Sequence, residues 1–148
     1  MCLLSVKLMK SSKLMYVVED DPITAMVTEV FVKRNKACCS EVQLFADGQQ
    51  AFNQLLLALG GEGRLPNVIL LDLNMPHMDG WDFLDAYAGL AVAPEIPVFL
   101  LTSSIHPRDI ERSREYGSVK GYFSKPLDDA KVVQMLQLLE AQELALGM

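Results

Sequence analysis

Val68-Ile-Leu-Leu71, closed by Asp72, is the stretch that decides the fold. It is apolar at every position and short enough for a strand. Alternation of polar and apolar residues would mark a strand with one wet face; a continuous apolar run marks one covered on both faces. Val98-Phe-Leu-Leu101 reads the same way. Two such strands predict a parallel sheet buried between helices.

Working outward, shorter runs rich in β-branched or aromatic residues predict three more strands, at Leu14–Val18, Val42–Phe45 and Gly121–Phe123. Between them, and after the last, lie stretches with helical spacing: Pro22–Lys33, Gly48–Leu59, Trp81–Gly89, Pro107–Tyr116 and Leu127–Leu144. Asp21 before Pro22 is a helix start, Gly117 after Tyr116 a helix stop, and Gly60, Gly61, Gly63 and Pro66 mark a loop. A βα unit repeated five times needs right-handed crossovers. The expected fold is α/β: a flavodoxin-like, doubly wound, five-stranded parallel sheet with five helices, whose functional residues lie beyond the C-terminal strand ends. The domain is placed at residues 13–145, after a leader over 1–12 read as disordered, with Met9 an alternative start.

The 148 residues allow one ordinary core, and 51% hydrophobic with 22% charged residues fits a globular chain. A formal net charge of −6 without a Lys or Arg run argues against direct nucleic-acid binding. Cys2, Cys38 and Cys39 have neither metal-ligand spacing nor the even count of a disulfide framework, so reduced thiols and a cytoplasmic setting are expected. Neither a signal peptide nor a membrane-spanning stretch is evident, and no membrane insertion is expected.

The polar residues that follow the apolar strands carry the chemistry: Glu19, Asp20 and Asp21 after the first, Asp72 after the third, Thr102, Ser103 and Ser104 after the fourth, Lys125 after the fifth. Topology brings them to one edge. Three or four crowded carboxylates repel one another, and a hard cation such as Mg²⁺ is the usual remedy. Each position also has a plainer reading. Glu19-Asp20-Asp21 can be a helix-capping run, Asp72 a strand-end turn residue, Thr102 and Ser103 caps of the fourth helix, and Lys125 a solvated loop lysine. His106 reads as a solvated residue at a helix start and His77 as a solvated loop residue.

Met15-Tyr-Val-Val-Glu-Asp-Asp-Pro22, Leu70-Leu-Asp-Leu-Asn-Met-Pro-His-Met-Asp-Gly80, Phe99-Leu-Leu-Thr-Ser103 and Gly121-Tyr-Phe-Ser-Lys-Pro126 together resemble the receiver domains of bacterial two-component response regulators, in particular the stand-alone kind related to the chemotaxis regulator. The resemblance covers Lys13 to Leu144. It implies that Asp72 is the phosphoacceptor and that Asp20 binds Mg²⁺ directly, with Glu19 acting through water. It also implies that the Asn74 backbone carbonyl is a further ligand. Thr102 and Lys125 would contact the phosphoryl oxygens, Tyr122 would change rotamer on activation, and Pro126 would follow a cis bond that aims Lys125 inward.

The implied partners are a sensor histidine kinase or histidine phosphotransfer protein and a downstream protein, since no output domain is read in the sequence. Slow self-dephosphorylation is expected, with Asn74 and Ser104 beside the water path. Two other readings compete with this one. A haloacid-dehalogenase-like phosphohydrolase should carry a second aspartate where this chain has Asn74. A receiver-like module that no longer accepts phosphate is disfavoured because every expected site position is filled.

Overall fold

A computed structural model describes residues 13–35, 37–90, 96–103 and 105–145. The expected leader over 1–12 and Ser104 lie outside the described residues. Strands β1 (Leu14–Val18), β2 (Glu41–Phe45), β3 (Val68–Leu71), β4 (Val98–Thr102) and β5 (Val119–Ser124) alternate with helices α1 (Pro22–Arg34), α2 (Gly48–Leu59), α3 (Gly80–Ala88), α4 (Pro107–Ser113) and α5 (Asp129–Ala145). All strand pairs are parallel, in the order β2-β1-β3-β4-β5. This is the doubly wound sheet expected from the sequence.

The period of two along each strand sorts side chains into two cores. Leu14, Tyr16, Val18, Ile69, Leu71, Val98 and Leu100 pack against Ala51 and Leu55 of α2 and Phe83, Leu84 and Tyr87 of α3. Met15, Val17, Val68, Leu70, Phe99 and Leu101 face the other way, onto Val32 of α1 and Val132 and Met135 of α5. Cys38 and Cys39 are free thiols buried in this second core. Strands β1, β3 and β4 are buried throughout, whereas β2, at the sheet edge, is largely exposed.

Most boundaries fall within a residue of expectation; α5 starts at Asp129 and not at Leu127, and α4 and β5 differ for visible reasons. The helix expected over Pro107–Tyr116 ends at Ser113. Tyr116 instead stacks on Trp81 with ring centroids 6.0 Å apart and donates its hydroxyl to Asp85 at 2.6 Å. The Arg112 guanidinium covers the Trp81 ring at 4.2 Å, so a cation–π and aromatic clamp ties the end of α4 to α3. β5 is longer than the expected Gly121–Phe123 because its flanks are only half-buried and carry Lys120 and Ser124, which mask the apolar signal.

Candidate functional site

Register decides which strand-end residues meet. Val18 is level with both Phe45 and Leu71, so the residues that follow, Glu19 and Asp72, emerge side by side. Backbone bonds extend the ladder one step: Asp72 N–H donates to Val18 C=O at 3.0 Å and Glu19 N–H to Phe45 C=O at 2.9 Å. At the far side, Lys125 N–H donates to Thr102 C=O at 2.8 Å, which carries the β5–α5 loop to the end of β4. Sequence positions far apart are thus delivered to one edge by the backbone itself.

Lys125 Nζ lies 2.5 Å from Glu19 Oε1 and 3.2 Å from Asp72 Oδ2. Only 4% of the Glu19 side chain and 5% of the Asp72 side chain are exposed, against 17% for Lys125. Burial pushes the Glu19 carboxyl up from 4.5 to about 7, against the opposing hydrogen bond from Lys125. Burial of Lys125 works against its charge, but Glu19 and Asp72 outweigh that and hold the ammonium above its ordinary value. The plainer reading of Lys125 as a solvated loop lysine is therefore excluded.

Glu19, Asp20 and Asp72 each place a carboxylate oxygen within 4.8 Å of the others. Ionised, the three carry one charge each, and Lys125 balances only one of them. The remaining two negative charges and the all-oxygen donor set suit a hard divalent cation such as Mg²⁺. Asp21 does not join the cluster. It is the N-cap of α1, accepting from Thr24 N–H at 2.9 Å. The acidic run thus divides between capping and the site.

Asn74 N–H donates to Asp72 Oδ1 at 3.3 Å, while the Asn74 side chain is exposed. Thr102 is buried at the end of β4. Neither Thr102 nor Ser103 caps α4, whose N-cap is the exposed His106, without a side-chain cap bond. His77 is exposed too, with a positive φ of 61°. Tyr122 is half-buried; its hydroxyl is raised above its ordinary value by burial and by the nearby Asp109 carboxylate, against a hydrogen bond involving the His106 backbone. The Lys125–Pro126 peptide is cis, as the resemblance implies.

Gly80 closes the Asp72 motif, and the sequence alone assigns it no role. Its N–H donates to Leu73 C=O at 3.0 Å, and a Cβ there would sit 2.7 Å from both the Asp72 carbonyl oxygen and Leu73 Cα. Only glycine lets α3 begin against the turn that presents Asp72. The signal was the glycine at the end of the Asp72 motif, but its reason is a contact across the turn.

A family model described as the response regulator receiver domain matches residues 15–137. A two-component response regulator from Cytophaga hutchinsonii has a solved structure that superposes with a TM-score of 0.76 at 28% identity, over 88% of this chain and 98% of that one. The Mn²⁺-bound form of response regulator Rcp1 superposes with a TM-score of 0.68 at 29% identity, over 87% and 92%. Among curated proteins, the probable methanogenesis regulatory protein FilR2 of Methanothrix harundinacea is 35% identical over 58% of this chain and 55% of its own length. The chain spans about half the length of the first such relatives it matches. The comparisons lend no support to a phosphohydrolase or to a receiver-like module that no longer accepts phosphate. The fold, the converging strand ends and a match that runs through both agree: the chain belongs to the response regulator receiver domain family.

Proposed function

We propose that Asp72 accepts a phosphoryl group from the phosphohistidine of a sensor histidine kinase or histidine phosphotransfer protein, and that the phosphorylated state alters a surface read by a downstream protein. The observation that carries this reading is a buried strand-end carboxylate with a lysine ammonium 3.2 Å from its Oδ2. Phosphoryl transfer calls mainly for an aligned nucleophile and fixed positive charge. An Asp72 oxygen forms the new bond to phosphorus as the P–N bond to histidine breaks, and the histidine nitrogen keeps the electron pair. Lys125 faces the oxygens on which negative charge accumulates.

Glu19, Asp20, Asp72 and the Asn74 backbone carbonyl would hold Mg²⁺, which when bound screens the carboxylates and offsets charge on the phosphoryl oxygens. Thr102, buried at the end of β4, is close in sequence to the β4–α4 loop, and its hydroxyl would bind the new phosphoryl group. Tyr122, half-buried near Asp109 and His106, would turn as that loop moves, giving a two-state switch. No helix among the described residues is long and apolar enough to cross a membrane. A cytoplasmic setting suits the kinase partner. Neither Asn74 nor Ser104 is a strong base, so self-dephosphorylation should be slow; Ser104 lies outside the described residues.

Acetyl phosphate with Mg²⁺ tests the reading without a kinase. One base-labile acyl phosphate on Asp72, lost in Asp72→Asn, is the expected result. A label on His106 or on a serine, found by mass spectrometry, would refute it.

A further inference from the structure

Lys125 can serve the phosphoryl group only if the β5–α5 loop holds its ammonium against Asp72. A second lysine grips that loop. Lys131 Nζ lies 2.6 Å from the Ser124 carbonyl oxygen, 2.9 Å from the Pro126 carbonyl oxygen and 3.3 Å from Ser124 Oγ. An ammonium has three N–H donors, and each of the three has an acceptor here. The two carbonyls belong to the residues immediately before and after Lys125.

The placement of Lys131 runs against helix electrostatics. Asp128, the residue before α5, caps it, accepting Lys131 N–H on its side chain at 2.8 Å and Val132 N–H on its carbonyl at 3.0 Å. In the first turn of a helix a cation opposes the macrodipole, and at this position after a cap Glu or Gln is the favoured type. The lysine side chain resolves the conflict by reaching back off the helix end to carbonyl oxygens in the loop.

We infer that Lys131 is a positioning residue for phosphoryl transfer: by bridging the carbonyls on either side of Lys125, it fixes the loop that sets the Lys125 ammonium beside Asp72. The inference rests on the reading of Asp72 as the phosphoacceptor. With acetyl phosphate, an Asp72 oxygen bonds to phosphorus, the P–O bond to the acetyl group breaks, and acetate leaves with the electron pair.

Two measurements test it on the full chain. In Lys131→Met, which keeps the chain length without the donors, labelling of Asp72 with Mg²⁺ present should slow about ten-fold, less than the roughly 100- to 1,000-fold loss when a preorganised donor is removed outright, because the Lys125 charge is loosened and not lost. Lys131→Arg, whose fork can again span two carbonyls, should recover most of the rate. In a Lys125→Met background the same Lys131→Met change should add no slowing, whereas a lysine acting through general stability would slow both backgrounds alike. Rates are compared at a temperature where circular dichroism shows each variant folded, with Lys131→Gln replacing Lys131→Met if the latter is not.

The second measurement needs no phosphorylation: modification of the Lys125 amine by an acylating reagent, followed by mass spectrometry, should rise several-fold in Lys131→Met. Unchanged Lys125 reactivity, or equal slowing in both backgrounds, overturns the inference. A parent that takes no label on Asp72 defeats the phosphoacceptor reading, while the acylation result still decides whether Lys131 holds Lys125.

Discussion

Two ion pairs in this protein have nearly the same separation and opposite surroundings. Arg64 Nη1 lies 2.8 Å from Glu41 Oε2 at the edge strand, with side chains 48% and 53% exposed. Lys125 Nζ lies 2.5 Å from Glu19 Oε1 at the centre of the sheet edge that carries the site, with side chains 17% and 4% exposed. The first pair keeps its hydration and is screened by salt, so it contributes about 0–1 kcal/mol. The second has given up hydration, and each ion there depends on the other and on Asp72. Distance alone does not rank ion pairs. Burial does, and here it separates a surface ornament of the fold from a charge cluster that must respond when charge is added.

The largest effect on the buried pair is expected from Lys125→Met. Above the titration range of Glu19, it leaves two ionised carboxylates together in a buried setting and should destabilise the protein by about 3 kcal/mol. At about pH 6 the loss should be smaller, because Glu19 takes up a proton and removes one of the charges. Urea unfolding at the two pH values checks both statements. Equal losses would show that Glu19 is not the group that relieves the repulsion.

A second test turns on the sign of the Glu19 shift. Its carboxyl is raised from 4.5 to about 7 in the folded protein. The native state therefore binds a proton that the unfolded state has already released, and this contribution is present below about pH 4.5 and lost as pH rises through about 7. The metal-free protein should lose stability across that window. A cation needs the carboxylate, so Mg²⁺ should bind about ten-fold more weakly at about pH 6 than at about pH 8, with proton release on binding. Calorimetry in two buffers of different ionisation enthalpy measures that proton, and Glu19→Gln should abolish it. The smallest expected effect completes the series: Arg64→Met should cost about 0.5 kcal/mol or less, and high salt should erase the difference.

The sheet was legible because β3 and β4 are apolar at every position and because the turns between elements carry Gly, Pro and Asp. The position of Glu19, Asp20, Asp72, Thr102 and Lys125 at one edge followed from topology. What remained unreadable depends on contacts across loops. The end of α4 is set by the stacking of Tyr116 on Trp81, partners on different helical units, so helical periodicity overran it. The hold of Lys131 on two carbonyls depends on the path of the chain through Pro126, and a motif that stops at Pro126 contains no trace of it. The division of the acidic run between a cap at Asp21 and a buried pair partner at Glu19 likewise depends on where α1 starts in space.

The clamp between α3 and α4 has an optical consequence. Trp81 is the single tryptophan of the sequence, so the tryptophan emission comes from one indole, with a guanidinium over its ring and a tyrosine stacked beside it. Trp81 also follows Gly80, whose N–H is bonded to the turn that presents Asp72. The indole therefore stands where a displacement of α4 would change the charge and polarity it sees, while its own helix is bonded to the turn that presents Asp72. The wild-type chain carries an intrinsic fluorophore for any relative motion of α3 and α4, and rapid-mixing measurements would detect it without an attached dye.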